Sequence, residues 1–438
     1  MKTDKKAYTL MKMLIFFIPL AVSASLTSIS HVIINGTLSR SDHAEMIIAN
    51  YAIAVALFGI IERPVLVFRQ MSSTLAKGRL AFDQIALFFW KSSLIITAIC
   101  LLIGLTKFGD WVFEYGFQAE SKSIPSLKMT FLVLSGVILF SGLRCLYQGV
   151  IIEQLETKWI TIGVVIRLLG MFAFAGYLTS TNHSSTSMTG AMIFLVGMAI
   201  ESVISVWRGI RIVQKKPKES EKHLNAKEIR SFYFPLVFYL SFQTLLIPGI
   251  YALLAKINDV HLGIASFALA FSITNLILSF FMYTHQMVLQ FYQNSRRVVI
   301  KCVVVFSIIP TFLLGILCFT PMGLWFMITV LGTNEELARE TLQVLVFFII
   351  KTAVFPWVDY FGGILMLRKN TKSLLIPQVL NIVFAVLILF FLVDIFPSWN
   401  GKNGSIAASI GELIGLIAIA VVVSRNRKHH RLTKKKVV

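Results

Sequence analysis

IANYAIAVALFGIIERPVLVFRQM, from Ile48 to Met71, aligns without a gap with IASFALAFSITNLILSFFMYTHQM, from Ile264 to Met287, 216 residues further on. Ile48, Ala49, Ala52 and Ala54 meet Ile264, Ala265, Ala268 and Ala270. Tyr51 faces Phe267, and Gln70-Met71 falls on Gln286-Met287. The match extends outward. Pro19-Leu20 in FFIPL pairs with Pro235-Leu236 in FYFPL at the same spacing. Tyr147, Gly149 and Ile151 pair with Tyr360, Gly362 and Ile364 at 213, and Gly190, Gly197 and Ile200 with Gly404, Gly411 and Ile414 at 214. The chain is therefore an internal duplication.

The duplicated unit is apolar. Of 438 residues, 56% are hydrophobic and 14% charged, with mean hydropathy +0.78. A soluble domain carries about 25% charged residues. The pattern predicts an all-α polytopic membrane protein. Twelve spans fit: 11–37, 44–68, 83–106, 127–150, 159–180 and 187–207, then 230–255, 261–289, 299–320, 338–364, 373–395 and 404–424. The first is too long for a signal peptide and reads as a retained helix. The domain reading is a six-helix lobe at 1–212, a basic linker at 213–229, a second six-helix lobe at 230–424 and a basic tail at 425–438. Six spans is an even number, so both halves insert with one polarity and a pseudo-two-fold axis is expected along the membrane normal.

The net charge is +20, and its distribution follows the positive-inside rule. Bases cluster at Lys2, Lys5, Lys6 and Lys12, at Lys77 and Arg79, along the linker (Arg208, Arg211, Lys215, Lys216, Lys218, Lys222, Lys227, Arg230), at Arg296, Arg297 and Lys301, at Arg368, Lys369 and Lys372, and in the tail RNRKHHRLTKKK. This places both termini and the linker in the cytoplasm of a multi-pass cell-membrane protein and argues against nucleic acid as a partner. Membrane lipids are expected partners, the chain is expected to be a monomer, and the tail has a further attraction to anionic lipid. Cys100, Cys145, Cys302 and Cys318 lie in apolar segments without a C-x-x-C pair and read as packing residues. No Walker A, H-E-x-x-H or G-x-S-x-G motif is present. No cofactor, metal or enzyme chemistry is expected. The glycines of the sixth and twelfth spans read as close-packing positions, and Pro19, Pro235, Pro310 and Pro356 as interruptions that kink their helices.

Ionisable residues inside spans cost about 2.5–3.5 kcal/mol on insertion scales and mark function. The bases are Arg63, Lys91, Arg144, Arg167 and Lys351; the acids are Glu62, Glu201, Asp359 and Glu412; His31 and His285 join them. Lys91 and Arg167 lie within snorkelling reach of a membrane surface. Lys351 stands at the middle of its span and is the foremost candidate for contact with substrate. Arg63, Lys351, Arg144, Glu62, Asp359, His31 and Arg167 form the candidate substrate site, with Glu62 and Asp359 holding the bases when it is empty. Glu201 and Glu412 are candidates for coupling or helix pairing.

FFIPL in the first span, Tyr51, Ala54, Leu57, Pro64, Phe68 and Arg69 in the second, Gly149 with IIEQLETK, Phe355-Pro356 with GILMLRK, and GKNGSIAASIGELIG together resemble the multidrug/oligosaccharidyl-lipid/polysaccharide (MOP) exporter superfamily. Within it they are most similar to the progressive ankylosis family. The resemblance covers nearly the whole chain. It implies a MATE-like fold of two lobes around a V-shaped cleft, and alternating-access export of small polyvalent anions such as ATP, citrate or pyrophosphate. Two other superfamily activities remain alternatives: a flippase for a lipid-linked anion such as an oligosaccharide precursor, and a cation-coupled multidrug exporter using Glu201, Asp359 or Glu412. The drug exporters often carry an acid on span one or seven; here neither has one, and His31 is the titratable side chain deep in span one. A non-transporting scaffold is the alternative outside the transport class.

Overall fold

The computed structural model describes residues 10–38, 44–117, 119, 121–181, 186–217, 224–254, 257–331 and 333–435; Lys2, Lys5, Lys6, Lys218 and Lys222 lie outside them. Twelve long helices carry the chain: α1 (Leu10–Leu38), α2 (Ala44–Leu75), α3 (Arg79–Leu105), α4 (Ile124–Glu153), α5 (Lys158–Ser180), α6 (Ser187–Gln214), α7 (Ala226–Leu254), α8 (Val260–Ser279), α9 (Thr284–Phe319), α10 (Glu335–Leu367), α11 (Leu375–Ile395) and α12 (Gly401–Lys435). No strand occurs among the described residues. Eleven segments are long and apolar enough to cross a membrane, α8 and α9 counting as one run from Leu262 to Phe319. A helix is the economical answer in hydrocarbon, because each span must satisfy its own backbone N–H and C=O groups.

Two compact units result, residues 18–233 and residues 1–17 with 234–438. In the first, α2 packs on α4, α4 on α6, and α6 on α5; in the second, α9 and α8 pack on α10, α10 on α12, and α12 on α11. The expected linker at 213–229 is helical at both ends, in α6 and α7. The first turns of α1 belong to the second unit, where Phe16 meets Phe291 at 5.1 Å and Phe17 stacks on Phe306 at 4.3 Å. The first turns of α7 belong to the first unit, where Tyr233 lies 5.3 Å from Phe68 and 4.9 Å from Phe88.

Packing corrects the register of the duplication. Gly149 on α4 lies against Ser72 and the Arg69 carbonyl, and Gly363 on α10 lies against Val288 and the His285 carbonyl. The partners are 216 residues apart, so Gly149 matches Gly363 at 214, not Gly362 at 213. The same 214 relates the left-handed residues that end α4 and α10, Leu155 (φ 60°) and Lys369 (φ 57°). It also relates two π-helical turns at Val112–Gly116 and Phe326–Val330. Gly197 sits against Arg167 and Met171, while Gly411 sits against Asn381 and Ala385, again 214 apart.

The halves differ at one backbone feature. Pro64 lies inside the continuous α2, yet the second unit breaks at 280–283, the stretch that begins opposite Pro64, with no proline there. The expected span at 261–289 is therefore two pieces. A break at Ser295 (φ −143°, ψ 51°) inside α9 falls in the gap expected between the spans 261–289 and 299–320, 216 residues after Arg79, where α3 begins. Pro19, Pro310 and Pro356 lie in helices that run on through them, and Pro235 lies within α7. The break at 280–283 thus arises without a proline. Asp359 provides the physical reason at 280–283: its carboxylate accepts from the backbone N–H of His285 at 2.7 Å and so caps the helix that restarts at Thr284.

Substitution tests the close approaches. A Cβ at Gly411 would meet Asn381 Oδ1 at 2.7 Å and the Ala385 Cβ at 2.8 Å, whereas one at Gly315 meets nothing within 4 Å. Gly411→Leu is expected to destabilise the protein by about 1–3 kcal/mol. Gly315→Leu leaves the thermal midpoint in detergent unchanged, and equal midpoints for the two variants would refute this packing.

Candidate functional site

The first unit gathers its charges. Glu201 on α6 is 1% exposed and accepts from Arg167 Nη1 on α5 at 2.6 Å, from Arg144 Nη1 on α4 at 3.3 Å and from Gln148 Nε2 at 2.9 Å. Gln148 also reaches Ser205 Oγ at 3.3 Å. Arg144 Nη2 donates to Ser141 Oγ at 3.3 Å, and that hydroxyl donates to Glu62 on α2. Two guanidinium groups and two carboxylates thus join four helices. Low dielectric makes such a cluster costly to break, since removing one partner strands another charge.

Other candidates of this unit stand apart from the cluster. Arg63 is half-buried on α2, and its Nε is enclosed without a hydrogen-bond partner. No carboxylate lies within ion-pair distance of Arg63 among the described residues, so Glu62 beside it in sequence is turned to Ser141 instead. His31 is exposed on α1, its ring 5.9 Å from that of Phe194. Lys91 is exposed on α3. Several bases of the polar end are held locally. Lys216 donates to Glu153 at 2.9 Å and to the Ala76 carbonyl, Lys77 lies 3.6 Å from Glu153, and Arg208 pairs with Glu156 at 2.5 Å. Arg211 lies over the Trp207 ring at 4.0 Å.

The second unit distributes its charges differently. Lys351 on α10 is 8% exposed, and its Nζ lies 5.0 Å from the centre of the Phe271 ring on α8. No carboxylate stands within ion-pair distance of it among the described residues. A desolvated cation–π contact contributes about 2 kcal/mol, less than the penalty of several kcal/mol for burying an ion. Lys351 is therefore a base that an incoming anion would stabilise. Asp359, two turns on, is not its counter-ion. Besides the His285 backbone, Asp359 takes His285 Nδ1 at 3.0 Å. Glu412 on α12 is also 8% exposed, with Asn381 Nδ2 at 3.4 Å as its partner in hydrogen bonding.

The sequence marks His285 as an ionisable residue within a span but leaves it out of the candidate site, and it does not mark Asn381; the duplication carries the signal of both. His285 matches Arg69, and Asp359 matches Cys145; in the first unit Arg69 Nη2 reaches Cys145 Sγ at 3.7 Å. Asn381 matches Arg167. The same helix contacts thus hold different chemistry in the two units. Among the described residues no group of three or more His, Cys, Asp or Glu side chains is placed to hold a metal ion.

Solved structures share this architecture. A MATE in complex with MaL6 aligns with TM-score 0.76 at 12% identity over 96% of this chain and 97% of its own. A MOP superfamily transporter from Pyrococcus furiosus aligns at 0.74 and 12% over 95% of each chain. The Vibrio cholerae MATE transporter VcmN in its bent form aligns at 0.74 and 10% over 97% and 98%. The chain is a multi-pass membrane protein with the MATE fold. No family model and no curated protein sequence matches it.

The contrast between the units is measurable. Glu201→Gln leaves Arg144 and Arg167 buried around a neutral amide and is expected to cost about 3–5 kcal/mol. Lys351→Met removes a charge that has no ionic partner among the described residues and is expected to leave the thermal midpoint level or raise it. A fall as large for Lys351→Met as for Glu201→Gln would contradict this difference.

Proposed function

We propose that the protein exports small polyvalent organic or phosphate-bearing anions by alternating access, with Lys351 and Arg63 as the cations that receive substrate. The observation that carries this reading is Lys351: a buried ammonium group faced by an aromatic ring and by no carboxylate among the described residues. The fold supports transport as the activity class. A MOP transporter with this fold, the one from Pyrococcus furiosus, is described with a binding pocket of reverse polarity that suggests a different function, in keeping with a substrate charge that changes within one architecture. The likeness to the progressive ankylosis family points to the same anion class. On this reading Arg144 and Arg167 are scaffolding, because Glu201 already engages both. Asp359 shapes the helix break and does not bind substrate. The expected location is the cell membrane with both termini in the cytoplasm.

One observation favours a second reading. Glu412 is a buried carboxylate with one long hydrogen bond among the described residues, a group that a cationic substrate would stabilise, and one solved structure of this fold is a multidrug resistance MATE family transporter.

Efflux from proteoliposomes loaded with ATP, citrate, pyrophosphate and a fluorescent cationic dye separates them. Anion release is expected from the wild type and is reduced at least about tenfold by Lys351→Ala, with the variant's elution profile unchanged. Dye release without anion release would establish the cationic reading. Release of neither would leave lipid-linked anion flipping or a scaffold role, and anion release retained by Lys351→Ala would overturn the assignment of Lys351.

A further inference from the structure

Within the second unit an open groove of about 560 Å³ runs between α10 and α12, lined by Trp357, Phe361, Leu416, Ile417, Ala420, Val421 and Ser424. Its walls are hydrocarbon and aromatic ring except at one end, where Ser424 stands. From Leu416 to Ser424 the wall is about 12 Å long at 1.5 Å per residue. The polar end is also the basic end. Trp357 and Phe361 share one face of α10 at helical spacing, and Arg368 caps the C-terminal end of that helix. Arg368 is exposed, and its Nη1 donates to the Val423 carbonyl at 3.3 Å, which sets the guanidinium beside the mouth of the groove. Arg425, Lys369 and Lys372 are exposed at this end as well. No acid occurs between Tyr360 and Val393 or from Leu413 to the C-terminus.

We infer that this groove is a binding site for an anionic glycerophospholipid, one acyl chain lying along Trp357, Phe361, Ile417 and Val421 and the phosphate held by Arg368 and Arg425. The apolar length selects a chain, and the charge at one end selects the headgroup. A free phosphate would have no use for the hydrocarbon wall, and a zwitterionic lipid would gain less from two arginines without a nearby carboxylate. Basic sites where helices meet a membrane surface attract anionic lipid by about 1 kcal/mol for each Lys or Arg, so each arginine contributes about a fivefold preference. The site lies within one unit and does not involve Lys351 or the Glu201 cluster.

The test is native mass spectrometry of the full-length protein in detergent, given phosphatidylglycerol and phosphatidylcholine in equal amounts. One phosphatidylglycerol per chain is expected to persist, in preference to phosphatidylcholine by at least about fivefold. Arg368→Gln with Arg425→Gln abolishes the preference. Ala420→Phe fills the groove and removes the retained lipid while both arginines stay. If Ala420→Phe does not fold, Ile417→Trp serves, since Ile417 is 58% exposed and tolerates a larger side chain. Equal retention of the two lipids by the wild type would mean non-specific annular lipid only and would overturn the site. So would a preference that survives both kinds of substitution.

Discussion

Two guanidinium groups in one apolar bundle repel each other unless a carboxylate stands between them, and Glu201 meets that requirement in the first unit. It is reached from α4 by Arg144 and Gln148 and from α5 by Arg167. Through Ser141 the same network extends to Glu62 on α2. Four helices therefore depend on charges that none could bury alone. The apolar packing around them is generic, whereas this network specifies which helices meet and in what register.

The second unit keeps the packing and discards the network. The position matched to Arg167 is Asn381, and the position matched to Glu201 is Gly415, with the acid moved one turn back along α12 to Glu412. Arg69 with Cys145 becomes His285 with Asp359, and the helix that runs unbroken past Pro64 breaks at 280–283, where Asp359 caps the restart. Duplication followed by divergence accounts for this pattern: the paired glycines persist because close approach forbids a Cβ, while the buried polar residues are free to change as sets. What remains in the second unit is a base at Lys351 that lies over the Phe271 ring, with no carboxylate within ion-pair distance among the described residues.

Much of this was legible in the chain. Twelve spans follow from hydropathy, and eleven of the twelve long helices begin within four residues of the expected starts, α9 being the exception, while α2, α6, α8 and α12 end seven or more residues from the expected ends. The duplication follows from Ile48–Met71 and Ile264–Met287. The break at 280–283 was not legible, because ILSFFMYT is apolar through the turn and its cause, Asp359, lies 74 residues away from His285. The register of α4 against α10 was misread by one residue, since Tyr147 and Tyr360 agree as letters while Gly149 and Gly363 agree in what they touch. The burial of Lys351 was readable from its place at mid-span. The convergence of Arg144, Arg167 and Glu201 was not, because hydropathy fixes where a helix lies but not how it is rotated.

The central claim is that Lys351 is a buried cation awaiting an anion. It is tested most directly by the thermal midpoint of the purified protein titrated with pyrophosphate, citrate and ATP, wild type beside Lys351→Met. A ligand that binds only the folded state raises the midpoint with its concentration. The wild type is expected to rise with at least one of these anions while Lys351→Met stays level. An equal rise in both, or a rise in neither, would contradict the claim.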